Sequence, residues 1–483
     1  MNTTNKETLL DKPPSRAGLL LSLAAMCAVL WLPLPLTEEA HKTAAIIAAT
    51  VCLWITEALP LAVTGLLAPT LLIIFGVTSA QKAFAPFADP IMFLFLGAFI
   101  LSRAIQLHGL DRRFAYSVLT SRLVGENPSR ILFAYGATCC LISMWISNTA
   151  TVAMMFPIGL AIIGTFDRLH IETRDYKAAL MLICAFAASL GGLATPVGTP
   201  PNLIGISFIK QQLGRQITFI EWMSFGLPTV ALLYLILFSY LYLLCARKLQ
   251  PLAGISSLLK TEQSQLGRFS RGEINTLLAF TVTVVLWIAP STVNLLIGEK
   301  HVLTDLLKHF PESVAALVGA CLLFILPDKD GRSTLSFAEA VKIDWAVMAL
   351  YGGGITLGHM AFETKLSQAV GQWTIGLIPQ SEYGLIAVTS AVSTMISELT
   401  SNVSAANMVI PAVIAITGSL RPAVAACLAA SLGFMLPIST PTNAIVYSSG
   451  YIKLSQMIKY GLLLDSIGIV VITIITTLIV PTR

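Results

Sequence analysis

Two short polar clusters stand inside apolar sequence, each built from hydroxyl and carboxamide groups. Ser147-Asn148-Thr149 begins ten residues before Pro157, and Ser401-Asn402-Val403 begins ten before Pro411. Each has a further serine four residues upstream, Ser143 and Ser397, and Met154 and Met408 fall on the same register. The offset, 401 − 147 = 254 residues, is about half of the 483-residue chain. Polar clusters repeated at half-chain spacing in hydrophobic sequence point to a carrier built from two structural repeats, with its site where they meet. Two proline-interrupted stretches repeat as well. Ala194-Thr195-Pro196-Val197-Gly198-Thr199-Pro200-Pro201-Asn202 and Leu436-Pro437-Ile438-Ser439-Thr440-Pro441-Thr442-Asn443 each follow an Ala-Ser-Leu-Gly, at 188–191 and 430–433. Proline removes an amide donor and clashes with the preceding turn, so both helices should break inside the apolar layer. A broken helix frees carbonyls, which can hold a cation, and amide donors at a positive dipole end, which can hold an anion.

The elements that must position these groups are membrane helices. The chain is 55% hydrophobic and only 11% charged, with a mean hydropathy of +0.80. A soluble domain carries about 25% charged residues, so the solvent for this chain is a lipid bilayer. The net charge of +5 is not gathered into a basic run, and nothing suggests nucleic acid. The eight cysteines lack CxxC spacing and sit mostly in apolar segments, as small packing residues do. Apolar runs place helices near 17–36, 43–58, 61–77, 90–108, 178–193, 222–246, 273–290, 313–327, 343–361, 421–436 and 456–480. The first is too long for a signal-peptide core and is expected to be retained.

The stretches 129–166 and 384–419 are apolar on both sides of a polar centre, which predicts re-entrant helix–turn–helix hairpins with the Ser-Asn motifs at their tips. The expected fold is an all-α integral membrane protein of eleven transmembrane helices and two such hairpins. Arginine and lysine clusters at 103–130, 247–271, 329–342 and 453–459 then share the cytoplasmic side with the N-terminus, and the C-terminus lies outside. The first hairpin enters from the cytoplasm and the second from outside, an inverted repeat. The organisation is a cytoplasmic tail (1–16), a first repeat (17–246) with its broken helix near 194–202, a cytoplasmic loop (247–272), and a second repeat (273–483) with its broken helix near 436–443.

At these residues the chain resembles the divalent anion–sodium symporter family, carriers of dicarboxylates, citrate or sulfate. The resemblance covers nearly the whole chain. It includes Trp54-Ile55-Thr56-Glu57-Ala58-Leu59-Pro60, both Ser-Asn motifs, both proline breaks, and the stretch Ala430 to Val446 with Ser431, Phe434, Pro437, Asn443 and Val446 in place. It implies a homodimer with a scaffold domain and a transport domain that moves as an elevator. It maps one sodium site to Ser143, Ser147, Asn148 and the Gly198 backbone, and a second to Ser397, Thr400, Asn402 and the Ser439 backbone. Substrate carboxylates would meet Ser147, Asn148, Thr149, Thr199, Pro200, Ser401, Asn402, Thr440 and Pro441. Val403 stands where many bacterial relatives carry threonine, and Thr442 stands where the first repeat has Pro201.

The residue chemistry agrees with that mapping. Sodium is a hard cation and takes oxygen ligands, which hydroxyls, amides and free carbonyls supply without fixed charge. No lysine or arginine falls in either motif, so sodium would carry the charge that lets two carboxylates enter a low-dielectric site. Basic side chains that replace sodium in the family's exchangers are absent from these motifs, which favours symport. The expectation is a bacterial inner-membrane carrier for succinate, fumarate or malate, with sodium as coupling ion and no other cofactor. Exchange of dicarboxylates, or carriage of citrate or sulfate, are the alternatives within the same fold. An enzyme is not expected, since no H-E-x-x-H, aspartate pair or Ser-His constellation appears at membrane depth. Glu57 is read as an interfacial residue and His108 as structural. Gly352-Gly353-Gly354 is read as close helix packing, and Glu398 stays open between a structural and a functional role.

Overall fold

Local chemistry starts the helices that carry the polar clusters. Asn127 accepts from the Ser129 and Arg130 amides with Pro128 at the first helical position, and Ser381 accepts from the Gly384 amide. In the computed structural model residues 15–168, 174–247, 249, 254–298, 301–374, 379 and 381–482 are described. Among them the chain is helical, with one isolated bridge between Pro327 and Ser333. Residues 1–14 of the tail, and 248 and 250–253 of the loop expected at 247–272, lie outside the described residues. The rest of that loop contains a helix, Ile255–Gln265.

A helix lies at every stretch expected to span the bilayer. Among the described helices five are long and apolar enough to cross a membrane by length and composition: Pro90–His108, Asn148–Phe166, Phe219–Ala246, Arg271–Ile297 and Leu454–Ile479. Of these, Asn148–Phe166 lies in the stretch expected to be re-entrant, so its arm has the length of a full span. The run at 421–436 differs from its expectation, because its helix stops at Ala429 and the chain turns through 430–440. The hydrophobic signal there continues as a non-helical stretch that is buried from Ser431 to Phe434.

Ten helices build the site. In the first half they are α1 (Pro128–Ser143), α2 (Asn148–Arg168), α3 (Arg174–Gly191), α4 (Pro200–Leu213) and α5 (Phe219–Leu241). In the second half they are α6 (Glu382–Leu399), α7 (Asn402–Thr417), α8 (Leu420–Ala429), α9 (Pro441–Tyr447) and α10 (Leu454–Ile479). Helix α3 packs on α1, α2 and α5; α8 packs on α6, α7 and α10. The short helices after each break cross over. Helix α4 packs on α7 and α8 of the other half, while α9 packs on α2 and α3. One apolar core runs through all of this, and the rings of Phe186 and Phe434 meet across it at 5.0 Å. The remaining long helices pack mainly in pairs, such as Leu61–Ile74 with Trp345–Glu363 and Pro90–His108 with Glu312–Ile325. Gly352, Gly353 and Gly354 are all buried; a side chain at Gly353 would meet the Gly65 carbonyl carbon and oxygen, one at Gly352 the Phe87 ring, and one at Gly354 the Asn407 side chain. That is the close packing expected of them.

Candidate functional site

Each Ser-Asn motif sits where a helix pair is interrupted. Helix α1 ends at Ser143 and α2 begins at Asn148; α6 ends at Leu399 and α7 begins at Asn402, with Thr400 at an irregular φ −133°, ψ −137°. In both breaks a serine caps the second helix. Ser147 Oγ accepts from the Ala150 amide at 3.2 Å, and Ser401 Oγ accepts from the Ser404 amide at 3.2 Å. The amides of Asn148 and Thr149, and of Asn402 and Val403, precede the first intrahelical acceptor of their helix and remain as donors.

The upstream serines turn back onto the asparagines. Ser143 Oγ donates to Asn148 Oδ1 at 2.7 Å, and Ser397 Oγ donates to Asn402 Oδ1 at 2.9 Å. Both serines are fully buried, whereas Ser147 and Thr149 are exposed and Asn148, Ser401 and Asn402 half-buried. Each tip therefore has a closed side and an open side.

The closed side is built by the broken stretches. Asn202 Nδ2 donates to Gly192 O at 2.9 Å and Thr195 O at 2.7 Å, which fastens the loop before α4 to its first turn. Asn443 Nδ2 donates to Gly433 O at 2.9 Å and Leu436 O at 3.0 Å, across the same ten- and seven-residue separations. Sequence reasoning gave these two asparagines no role in the site. The signal was present, because both follow Thr-Pro-x. Thr199 and Thr440 precede α4 and α9 with nearly equal backbone angles, φ −148°, ψ 143° and φ −142°, ψ 147°. A side chain at Gly192 would meet Asn148 Oδ1, Asn148 Nδ2 and Thr199 Cβ, so the absence of one lets the break reach the tip. Asn402, Ser397 and Ser439 similarly surround Gly433.

Hydroxyls from the breaks also take the carbonyls at each tip. Thr195 Oγ1 donates to Met144 O at 2.6 Å, and Ser439 Oγ donates to Glu398 O at 2.9 Å. Thus Ser143, Asn148 and Thr199 gather with Gly192 and Gly198 in the first half. Ser397, Asn402 and Ser439 gather in the second. Thr400 is not tied to this group, since its hydroxyl returns to Ile396 O at 2.7 Å within its own helix. The halves meet where Ser189 Oγ and Thr442 Oγ1 lie 3.2 Å apart, with Thr442 also 2.8 Å from Thr440 Oγ1. Thr442 is therefore anchored twice.

Prolines at the first two positions of α4 remove two of its free amides, so the start of α2 is the better anion donor of the first-half junction. A cavity of about 350 Å³ lies elsewhere, between α6 and α7, and is lined by Leu385, Val388, Val392, Met408 and Val413. It lacks charge or clustered donors for a dianion. Glu57 is exposed at a helix end with φ 46°, His108 Nε2 lies 2.8 Å from Thr334 O, and His359 Nε2 is 3.9 Å from Glu363 Oε1. None of these touches the Ser-Asn clusters.

An all-helical protein with membrane-length apolar helices and two matched polar clusters at helix breaks is a multi-pass membrane transporter. Residues 15–480 match the family model described as the sodium:sulfate symporter transmembrane region, and the chain belongs to that family. It is 32% identical over 449 residues to the sodium-dependent dicarboxylate transporter SdcS of Staphylococcus saprophyticus, covering 89% of this chain and 84% of that protein. The SdcS of Staphylococcus aureus is 31% identical over 443 residues, with the same coverage. Among solved structures, Neisseria gonorrhoeae MtrF, described as illuminating a class of antimetabolite efflux pumps, aligns with a TM-score of 0.56 over 93% of this chain and 96% of its own. At 14% identity that likeness is one of fold alone.

Proposed function

We propose that this chain is a secondary active transporter that couples inward sodium flow to uptake of C4-dicarboxylates such as succinate, fumarate and malate. The observation that carries the reading is the matched pair of hydroxyl–carboxamide clusters, Ser143 with Asn148 and Ser397 with Asn402, each backed by a helix break. One sodium would sit among Ser143, Ser147, Asn148 and the Gly198 backbone, the other among Ser397, Asn402 and the Ser439 backbone, with Thr400 joining it once its hydroxyl turns from Ile396 O. Every ligand is a neutral oxygen, which suits a hard monovalent ion that must also leave. Substrate carboxylates would bind the open side, at the tips Ser147-Asn148-Thr149 and Ser401-Asn402 with Thr199-Pro200 and Thr440-Pro441 beside them. The tip amides and the bound cations would supply the positive potential that a dianion needs there. The two interrupted pairs, α1–α2 and α6–α7, act as re-entrant hairpins of an inverted repeat. Helices α1 to α10 move as one body against the remaining helices, in an elevator within a homodimer of the bacterial inner membrane.

The names of the SdcS relatives support both the ion and the substrate class. The test is succinate uptake into proteoliposomes under an inward sodium gradient, beside a potassium-only control. Concentrative uptake only with sodium is expected. Uptake that ignores sodium but requires internal dicarboxylate would make the protein an exchanger and remove both cation assignments.

A further inference from the structure

Two acids that the proposed site does not use lie buried together beside its second half. Glu398 is 2% exposed and Asp465 3% exposed, the latter in the middle of the apolar helix α10. Glu398 is partly satisfied: Oε1 accepts from the Met435 amide at 2.7 Å and Oε2 from the Ser439 hydroxyl at 2.5 Å. By strict hydrogen-bond geometry neither carboxylate oxygen of Asp465 is paired, although the Glu398 carboxyl and the Phe434 amide lie beside it. Gly461, one turn earlier, lets α10 close onto Phe434 and Met435, and Gly468 faces Leu432, so Asp465 is directed at the same loop that Glu398 holds. Glu398 is its acidic neighbour there.

The helices packed on α10 bring no compensating cation. Helix α5 contributes Tyr240, whose hydroxyl is directed at Tyr460 O at 3.4 Å. Helix α8 contributes Arg421, whose guanidinium is bound to Glu382 of α6 and to Val480 O. Among the described residues no lysine, arginine or histidine pairs with Glu398 or Asp465. Buried charges are ordinarily paired or bound to a metal ion, and an acid inside a membrane helix is costly to keep without a use.

The repeat makes the pairing more pointed. Glu398 corresponds to Met144 by the offset that relates the hairpins. Gly461 corresponds to Gly226, which closes α5 onto Leu193 and Ala194 as Gly461 closes α10 onto Phe434 and Met435. Four residues on, Asp465 corresponds to Val230. The first half thus has an apolar pair, Met144 and Val230, where the second half has two acids, so neither carboxylate is required by the architecture.

We propose that Glu398 and Asp465 form a further sodium site, behind the second Ser-Asn cluster and separate from the two at the tips; this rests on the sodium-coupled reading above. Asp465 offers its two carboxylate oxygens and Glu398 the lone pairs its two donors leave. This carboxylate-rich set would hold sodium more firmly than the neutral clusters do. Carboxylate and hydroxyl oxygens are the hard ligands that such a cation takes. Ser439 joins this site to the tip, because its hydroxyl donates to Glu398 while its backbone belongs to the second cluster.

The experiment is the sodium-to-succinate stoichiometry, from reversal potentials of the full-length protein in proteoliposomes, for wild type beside Asp465→Asn. The variant is expected to move one sodium fewer per succinate and to show a shallower sodium activation curve. An unchanged stoichiometry overturns the site, as does a variant that alters only the pH dependence of uptake, which would assign the acids to a shared proton. Should Asp465→Asn fail to fold, Glu398→Met with Asp465→Val installs the first half's own residues and is read in the same way. A wild-type sodium count no greater than the two tip clusters hold would overturn it without any variant. Wild-type transport indifferent to sodium would instead remove the coupling reading itself, and this site with it.

Discussion

The two halves of the site share a backbone frame and differ in the side chains laid on it. Asn202 and Asn443 bridge carbonyls at identical separations, Ser143 and Ser397 reach the same carboxamide oxygen, and Gly226 and Gly461 close equivalent crossings. Against that frame stand three differences: Met144 and Val230 against Glu398 and Asp465, Pro201 against Thr442, and Thr149 against Val403. The matched features all satisfy backbone groups exposed by a break in a low-dielectric interior, where an unmade hydrogen bond is expensive. The differences touch side-chain chemistry. A duplicated scaffold must keep the former in both copies, while each copy can specialise the latter.

Four sets of substitutions would break or sharpen this comparison. The largest effect is expected at the tips. Asn148→Ala and Asn402→Ala should each reduce sodium-driven uptake by at least about tenfold, more than 1.4 kcal/mol. Size-exclusion profiles should stay those of the folded protein. Near-normal uptake in either would count against equal use of the two clusters. Next come the bridging asparagines. Asn202→Ala and Asn443→Ala each strand buried carbonyls, at about 1–3 kcal/mol per group, and should lower the melting temperature in detergent by similar amounts. A large shift in one with none in the other would contradict the shared frame.

A smaller effect is expected where the breaks differ. Thr442→Pro removes the contacts to Ser189 and Thr440, at about 1 kcal/mol, read again as thermal stability. The reverse change, Pro201→Thr, bears on Ser431. That serine is the counterpart of Ser189, and its buried hydroxyl has no partner; the repeat would set Pro201 where Ser189 has Thr442. Stabilisation by Pro201→Thr would confirm the correspondence, and destabilisation would refute it. The smallest effect is expected for Val403→Thr, which gives the second tip the hydroxyl of Thr149. Substrate affinity should rise by a few-fold, about 0.5–1 kcal/mol. An unchanged half-saturation concentration would place that position away from the substrate.

Much of this was legible before any coordinates. Pro128, Pro200 and Pro441 at helix starts, and the Ser-Asn pairs, announce where helices begin and break, because proline and capping side chains act within a few residues. The apolar runs locate the long helices for the same local reason. The sequence misjudged the run at 421–436, where hydrophobicity reports burial rather than helix, and it did not anticipate Ile255–Gln265, a surface helix without a membrane signal.

Composition, helix positions, the repeat and the family of this chain are thus determined by the sequence itself, since each rests on periodicity, local sterics or matched motifs. The exchange of α4 and α9 between halves, the carbonyls held by Asn202 and Asn443, and the meeting of Ser189 with Thr442 were decided only by the tertiary structure. So was the approach of Asp465 to Glu398, groups 67 positions apart on helices that α10 brings together through its glycines. These contacts join residues distant along the chain, and only the packing of the apolar core sets which polar atoms face one another and which are left without a partner.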